Sequence, residues 1–111
     1  MYNDGVIVVV KSKSKKTSFS GKINELSLKD FDEIGNFYFH EESKRQQDIE
    51  FVHSLDRVLN MKIKIPFTKT VTSNYKVVYD NYLYDIIYTD YSKDKTSLFL
   101  YLEEVRKLEW I

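Results

Sequence analysis

Residues 61–67 read MKIKIPF, and this short stretch decides the fold class. Apolar and charged residues alternate along it with the period of a β-strand that has one dry face and one wet face. Four residues form the dry face: Met61, Ile63, Ile65 and Phe67. Lys62 and Lys64 lie on the wet face. Because Pro66 has no N–H to donate to a sheet, the strand lies at a sheet edge or ends there.

Strand-forming residues recur on both sides of this segment and are separated by polar turns. Further strands are predicted over 6–10, 36–42, 75–79, 82–88 and 97–103. The turn residues are DFDEIGN at 30–36, Asp80 with Asn81, and SKDK at 92–95. About six short strands with little helix predict a mainly β protein, either a barrel or a sandwich. We expect the small antiparallel β-barrel.

Composition restricts the possible functions. A chain of 111 residues has room for one hydrophobic core, so residues 1–111 are expected to form a single domain. Seventeen Lys and Arg balance seventeen Asp and Glu, so no global electric field attracts nucleic acid. The absence of cysteine excludes disulfides and thiolate chemistry. Val6–Val10 is too short for a signal-peptide core, and no apolar run has transmembrane length, so a cytosolic chain without a membrane partner is expected.

The segment between the second and third predicted strands carries a different pattern. Four apolar residues fall at helical spacing: Ile49, Val52, Leu55 and Leu59. Ser43 and Gln46 have the spacing of a capping box, which marks the start of a helix. The sequence therefore predicts a short helix or a long loop around 42–58.

Several predicted strands are apolar on both faces. Tyr82, Tyr84, Ile86 and Tyr88 share one face of their strand, whereas Leu83 and Ile87 lie on the other. Phe99 and Tyr101 likewise back the leucines of the last strand. A barrel has one inside, so the second face must be covered by a local helix, by the chain tail or by another subunit. Alternatively, the outer tyrosines remain on the surface with their hydroxyls in water.

No catalytic or metal-binding constellation emerges. His40 and His53 lack the close spacing of a zinc site, and three scattered glycines cannot form a phosphate-binding loop. Glu42 and Lys44, with Asp30 and Asp32 upstream, match a metal-dependent nuclease pattern, but Glu-x-Lys is common by chance in a chain that is 31% charged. We therefore expect no enzymatic activity, no metal and no cofactor.

Two features bear on nucleic-acid binding. The lysine run near the N-terminus is either a solvated sheet edge or a weak DNA-facing patch formed by Lys11, Lys13, Lys15 and Lys16. Tyrosines such as Tyr82 and Tyr84 could stack bases, as in barrels that bind single strands. Their neighbours Asp80, Asp85 and Asp90 would repel phosphate, so packing is the favoured use of these rings. A small single-stranded nucleic-acid-binding barrel remains the alternative function.

Four stretches together resemble a known family: ESKRQQDIEF at 42–51, MKIKIPF at 61–67, YKVVYDNYLYDIIYTDY at 75–91 and LFLYLEEV at 98–105. They are similar to the small head-tail joining proteins of tailed bacteriophages, the head-closure or stopper family. The similarity spans roughly residues 37–105. It includes Val77 and the Tyr-x-Ile of residues 84–86.

The resemblance implies a structural connector of the virion, assembled in the host cytoplasm. Such a protein binds the portal and adaptor ring, closes the exit channel against packaged double-stranded DNA without reading its sequence, and offers a docking surface to a tail-completion or tail-terminator protein. It implies a ring of about twelve copies. It also implies that the long segment between two barrel strands, at 42–56, points into the channel.

The residues that would serve this function follow from their positions. The candidate channel-facing residues are Glu42, Lys44, Arg45, Gln46, Gln47 and Asp48. The candidate subunit-interface residues are Lys62, Lys64, Tyr82, Tyr84, Tyr88 and Tyr101.

Overall fold

Six antiparallel strands close into a barrel in a computed structural model of the chain, which describes residues 4–12 and 31–108. The strands are β1 (Gly5–Ser12), β2 (Phe31–Glu42), β3 (Met61–Pro66), β4 (Lys76–Tyr79), β5 (Tyr82–Tyr91) and β6 (Ser97–Lys107). A short helix, α1 (Gln46–His53), lies between β2 and β3. The order around the barrel is β1-β2-β3-β6-β5-β4, and β4 pairs back onto β1. The predicted fold is confirmed.

Apolar side chains from all six strands fill the barrel. The buried cluster consists of Ile7, Val9, Phe39, Ile63, Ile65, Val71, Val77, Tyr84, Ile86, Leu98, Leu100 and Leu102. Ile63 and Ile65 are fully buried, which confirms that MKIKIP is a strand with its isoleucines inside. Met61 and Phe67 are only half-buried, because they lie where the strand meets the barrel rim. The predicted apolar face of β3 is therefore fully buried at Ile63 and Ile65 and only partly buried at Met61 and Phe67.

Pro66 ends the pairing between β2 and β3. β3 pairs with β6 along its whole length, whereas its pairing with β2 stops at His40 and Lys64. The Phe67 N–H donates to the Thr96 carbonyl beside β6. Since successive residues of a strand point their N–H groups to opposite neighbours, position 66 would donate toward β2. Proline has no hydrogen there, so the ladder ends.

The predicted turn at 30–36 is wrong, because β2 is continuous from Phe31 to Glu42. Val9 pairs with Gly35 and Val10 pairs with Glu33, so Ile34 is an extra residue in a β-bulge. The Asp, Gly and Asn residues of this stretch therefore accommodate a bulge within a strand, where they were expected to reverse the chain.

The outer apolar face is covered from within the chain at two places. Outside β1, β4 and β5, Leu108 packs in a cluster with Val10, Phe31, Val78 and Leu83. Outside β6, the segment that contains α1 contributes Val52 and Leu59 to a cluster with Tyr101. Of the predicted covers, the local helix and the chain tail are therefore both present. β6 also runs to Lys107, beyond the predicted end at 103, because it remains paired with β5.

The remaining turns agree with the sequence. Asp80 and Asn81 both have positive φ, 53° and 67°, as a two-residue hairpin between β4 and β5 requires. The 92–95 turn is held by hydrogen bonds among Ser92, Asp94 and Thr96. Within the described residues, no helix is both long and apolar enough to cross a membrane.

A register shift between Ile86 and Tyr88 corrects the predicted face of Tyr88. Ile86 pairs with Leu102, but Tyr88 pairs with Tyr101, so one residue of β5 is passed over. Tyr88 therefore lies on the outer wall, with its ring centroid 5.5 Å from that of Tyr101. It does not share the inner face of Tyr82, Tyr84 and Ile86.

Replacing Ile63 by alanine should lower the free energy of unfolding by about 2–5 kcal/mol, because it removes a fully buried side chain from the barrel interior. The matched control is Ile49→Ala, which truncates a 39% exposed isoleucine of α1 and should change the stability by less than about 0.5 kcal/mol. Urea unfolding followed by circular dichroism measures both. Equal effects of the two substitutions would contradict the barrel packing.

Candidate functional site

The excursion, defined as residues 43–60 between β2 and β3, is the main departure from the barrel. It contains α1 and lies across the outer wall formed by β3, β6 and β5. Val52 and Leu59 are buried against Tyr101, and they anchor the excursion through apolar contact. Because Val52 follows Asp48 by one helical turn, both side chains point from α1 toward the barrel.

Asp48 forms the polar anchor of the excursion. Its carboxylate accepts hydrogen bonds from Lys62 Nζ at 3.0 Å, from the Tyr101 hydroxyl at 3.2 Å, and from Nε and Nη2 of Arg45 at 3.1 Å each. It also accepts from the Arg45 backbone N–H at 3.1 Å, which caps the start of α1. One buried carboxylate thus joins a helix terminus, β3 and β6.

These contacts set the charge states of the site. Burial of Asp48 disfavours its ionised form, but the hydrogen bonds from Arg45 and Lys62 outweigh that effect, and its pKa lies well below its ordinary value. Burial, together with the neighbouring Asp48 charge, raises the pKa of Tyr101 to about 12. Asp48 is therefore a carboxylate and Tyr101 a neutral donor throughout the physiological range.

Lys62 is buried, at 7% exposed, and this corrects its assignment to a wet face. Its ammonium pairs with Asp48 and lies 5.4 Å and 5.3 Å from the ring centroids of Phe99 and Tyr101. Both rings lie within the distance at which an aromatic face stabilises a cation. No local pattern predicts this pair, because the two residues are fourteen positions apart and lie on different elements.

A second polar network fixes the end of the excursion. Arg57 forms ion pairs with Glu103 on β6 and with Asp85 on β5, the latter at 3.1 Å. Asp85 also pairs with Lys76 on β4. The Val58 N–H donates to Glu103 at 3.0 Å. Together with the contacts of Asp48, these bonds hold the excursion to the barrel before and after Val52.

The remaining apolar side chains of the excursion are partly exposed. They are Ile49, Phe51, Leu55 and Val58, which are 39–58% exposed. The Phe51 ring also packs edge-on against Tyr88, with the ring centroids 5.0 Å apart, and so helps to cover the outer wall.

Of the four residues of the predicted helical stripe, Ile49 and Val52 lie in α1, and only Val52 is buried. Leu55 and Leu59 follow the end of the helix, so their helical spacing is not realised, although Leu59 is buried. The predicted capping box is also out of register, because Arg45 and Asp48 occupy the positions expected for Ser43 and Gln46. Because Asp48 bonds to Lys62, α1 is oriented with Asp48 and Val52 toward the barrel and Ile49 toward solvent.

Two depressions flank the excursion. A cleft of about 380 Å³ is lined by Glu42, Ser43, Arg45, Lys62, Asp90, Phe99 and Tyr101. The α1 groove, of about 240 Å³, is lined by Ile49, His53, Arg57, Val58 and Leu59. The cleft is polar and contains the Asp48 partners, whereas the α1 groove is mainly apolar with a polar rim.

The predicted channel-facing residues fall into two groups. Lys44, Arg45, Gln46 and Gln47 are exposed where the excursion begins. Glu42 is half-buried at the end of β2, beside His40 and Lys64. Asp48 is 4% exposed, which corrects its expected position at the channel surface. Its orientation follows from its four side-chain donors, all of which come from the barrel side or the helix start.

The predicted subunit-interface residues are mostly used inside the chain. Lys62, Tyr84 and Tyr101 are buried, so they have no surface for a neighbour, and their assignment is corrected. Lys64 and Tyr82 are half-buried, and Tyr88 is 42% exposed. Of the predicted DNA-facing lysines, Lys11 is exposed on β1 opposite Asp32. Lys13, Lys15 and Lys16 lie outside the described residues.

The nuclease pattern is not assembled among the described residues. Asp32 and Glu42 lie near opposite ends of β2, about 33 Å apart along the strand. The Lys44 ammonium donates to the Asn60 carbonyl at 3.3 Å. Within residues 4–12 and 31–108, no three His, Cys, Asp or Glu side chains are placed to hold a metal ion.

No family model and no curated protein matches the chain.

Asp48→Asn should lower the free energy of unfolding by about 3–5 kcal/mol, because it leaves the Lys62 ammonium buried without a counter-charge. Adding Lys62→Met should recover part of that loss, since methionine has no charge to leave unpaired. Chemical unfolding of wild type, both single variants and the double variant measures the coupling. Additive effects would contradict a buried ion pair.

Acid should weaken the protein through the same carboxylate. The pKa of Asp48 is lower in the folded state than in the unfolded state. Its contribution to the free energy of unfolding is therefore complete above about pH 4 and is lost as the pH falls below that value. Below pH 4, the free energy of unfolding of the wild type should fall more steeply with pH than that of Asp48→Asn, by up to about 1.4 kcal/mol per pH unit. Thermal unfolding between pH 7 and pH 2 compares the two slopes. Parallel profiles would contradict the ionised state.

Proposed function

We propose that this chain is a structural connector of a tailed phage, a head-completion protein that joins the portal and adaptor ring and provides a surface for the tail. The observation that carries the proposal is the exposed apolar surface of the excursion. Ile49 and Val58 are both exposed and line the same groove, on a short segment that is itself firmly bonded to the barrel. Grouped apolar exposure of this kind marks an interaction surface for another protein.

The position of the excursion supports the same proposal. It leaves the barrel between β2 and β3, the place where the resemblance puts the segment that faces the channel. The barrel interior is filled by its own side chains, and this leaves the outer wall as the working surface. Binding partners are therefore expected to be protein rings, with packaged DNA contacted without sequence preference.

The alternative, a barrel that binds single-stranded nucleic acid, has weaker support. Exposed Tyr88 and Tyr91 offer rings for base stacking. However, Asp90 lies between them on β5, and five cations near the excursion and β3–β5 are taken up in ion pairs with carboxylates: Arg45, Arg57, Lys62, Lys64 and Lys76. Phosphate would have to compete with those carboxylates for each cation.

The test is analytical ultracentrifugation of the full chain with the purified portal–adaptor complex of the phage from which the chain comes. We expect co-sedimentation, weakened by about 1–2 kcal/mol in Ile49→Ser or Val58→Ser, because each removes an exposed apolar side chain of the proposed surface. Tyr91→Ser is the control, since Tyr91 is an exposed aromatic residue on β5. A wild-type chain that fails to co-sediment at any concentration contradicts the connector proposal.

A second titration uses a single-stranded thymidine oligonucleotide. The connector proposal expects little or no binding at physiological salt. Binding that weakens steeply as salt is raised would support the nucleic-acid alternative, since that dependence reports phosphate contacts.

A further inference from the structure

We propose that the polar cleft beside α1 binds a carboxylate carried on an aromatic or other apolar group, with Lys62 and Arg45 holding the carboxylate and Phe99 contacting the apolar group. The carboxylate belongs either to a small free acid or to the C-terminus of a protein chain. The cleft shares no lining residue with the α1 groove, so the site does not depend on the connector function.

Lys62 is the buried cation of the cleft. It belongs to the lining, yet its side chain is only 8% exposed. An ammonium has three N–H groups, and among the described residues Asp48 is the only hydrogen-bond acceptor that Lys62 meets. The rings of Phe99 and Tyr101 stabilise its charge but offer no carbonyl or carboxylate oxygen. Because buried donors in proteins are nearly always paired, the remaining N–H groups of Lys62 are available to a molecule in the cleft.

Arg45 supplies a second, more accessible cation. Its side chain is 60% exposed, and it bonds to Asp48 through Nε and Nη2 alone. Nη1 has no acceptor within the described part of the chain, so one edge of the guanidinium remains open. Such an edge binds a carboxylate through two parallel hydrogen bonds. The ligand therefore uses donors that Asp48 leaves unoccupied, and it displaces no existing bond.

The charge at this end of the cleft calls for one more anion. Lys62 and Arg45 carry two positive charges, and Asp48, whose pKa is well below its ordinary value, supplies one negative charge against them. One excess positive charge remains beside a buried ammonium, where an unbalanced charge is costly. A ligand with a single negative charge removes that excess.

The acidic residues of the lining restrict which anion can bind. The Glu42 carboxylate lies 3.8 Å from the Lys64 ammonium, which offsets its charge. Asp90 is exposed and forms no ion pair with any described residue. It would repel a second negative charge, so a monocarboxylate is favoured over inorganic phosphate or a nucleic-acid strand. A cationic ligand is disfavoured because the Lys62 ammonium already lies 5.4 Å from the Phe99 ring.

The shape of the cleft matches a ligand of about one amino-acid residue. Its volume of about 380 Å³ is near the lower end of the range for small-molecule sites, about 300–1,000 Å³. Phe99 is half-buried on β6, with Lys64 opposite it on β3 and Asp90 opposite it on β5. Its ring thus gives an apolar group a surface to pack on while the carboxylate reaches Lys62 and Arg45.

Isothermal titration calorimetry of the full chain with N-acetylphenylalanine tests the site, since this probe has both a carboxylate and an aromatic ring. We expect saturable one-to-one binding. The corresponding amide, which lacks the charge, should bind at least about tenfold more weakly, because hydrogen bonds to a charged group are lost. Inorganic phosphate and phenethylamine should also bind more weakly. No binding of N-acetylphenylalanine at millimolar concentration, or tighter binding of the amide, phosphate or amine, would overturn the proposal.

Variants locate the binding and give its sign. Arg45→Gln should weaken binding by about tenfold to a hundredfold. The matched control is Lys44→Gln, which removes the exposed neighbouring cation that does not line the cleft and should leave binding unchanged.

Asp90→Asn removes a negative charge of the cleft without breaking an ion pair, so it should tighten carboxylate binding by about twofold to fivefold. This variant keeps the test valid if circular dichroism shows that Arg45→Gln folds poorly. Weaker binding by Asp90→Asn, or equal effects of the substitutions at Arg45 and Lys44, would contradict the site.

Two further probes distinguish the sources of the carboxylate. Tighter binding of a tetrapeptide that ends in phenylalanine than of 3-phenylpropionate would support the C-terminus of a protein chain. The reverse order would support a small free acid. Neither titration involves the portal–adaptor complex or the α1 groove, so the carboxylate site and the connector function can each fail while the other stands.

Discussion

Closure of the barrel is the constraint on which the rest of this structure depends. Once six strands close, each has one inner and one outer face, and the apolar residues on the outer faces must be covered by something else. Leu108 covers one part of that surface, and the excursion covers another. The helix therefore lies where Val52 can cover the apolar outer wall around Tyr101.

The buried Asp48–Lys62 pair gives that cover its orientation. Apolar contact through Val52 and Leu59 alone would tolerate several rotations of α1 about its axis. A carboxylate that must reach Lys62 and Tyr101 permits one rotation, and it turns Ile49 toward solvent. The same interaction that fixes the helix therefore also exposes Ile49 and helps to form the α1 groove, the surface on which the connector proposal rests.

Local patterns predicted an element correctly where the residues within that element determine its backbone conformation. Alternation identified β3, and positive-φ turn residues identified the β4–β5 hairpin at Asp80 and Asn81. Prediction failed where a distant partner decides the outcome. The bulge at Ile34 takes turn-forming residues into a strand because β1 pairs across them, and the shift before Tyr88 moves a predicted inner residue outside. Neither event leaves a signal within a short window.

The sequence by itself determined the fold class, the six strands and the presence of a short helical segment between β2 and β3, because periodicity and turn chemistry act over a few residues. Tertiary structure alone decided which side chains are available to a partner. Lys62 looks solvated in MKIKIPF, yet it is buried because Asp48, fourteen residues earlier, supplies its counter-charge. Burial of a charge depends on a partner brought close by folding, and no local pattern contains that distance.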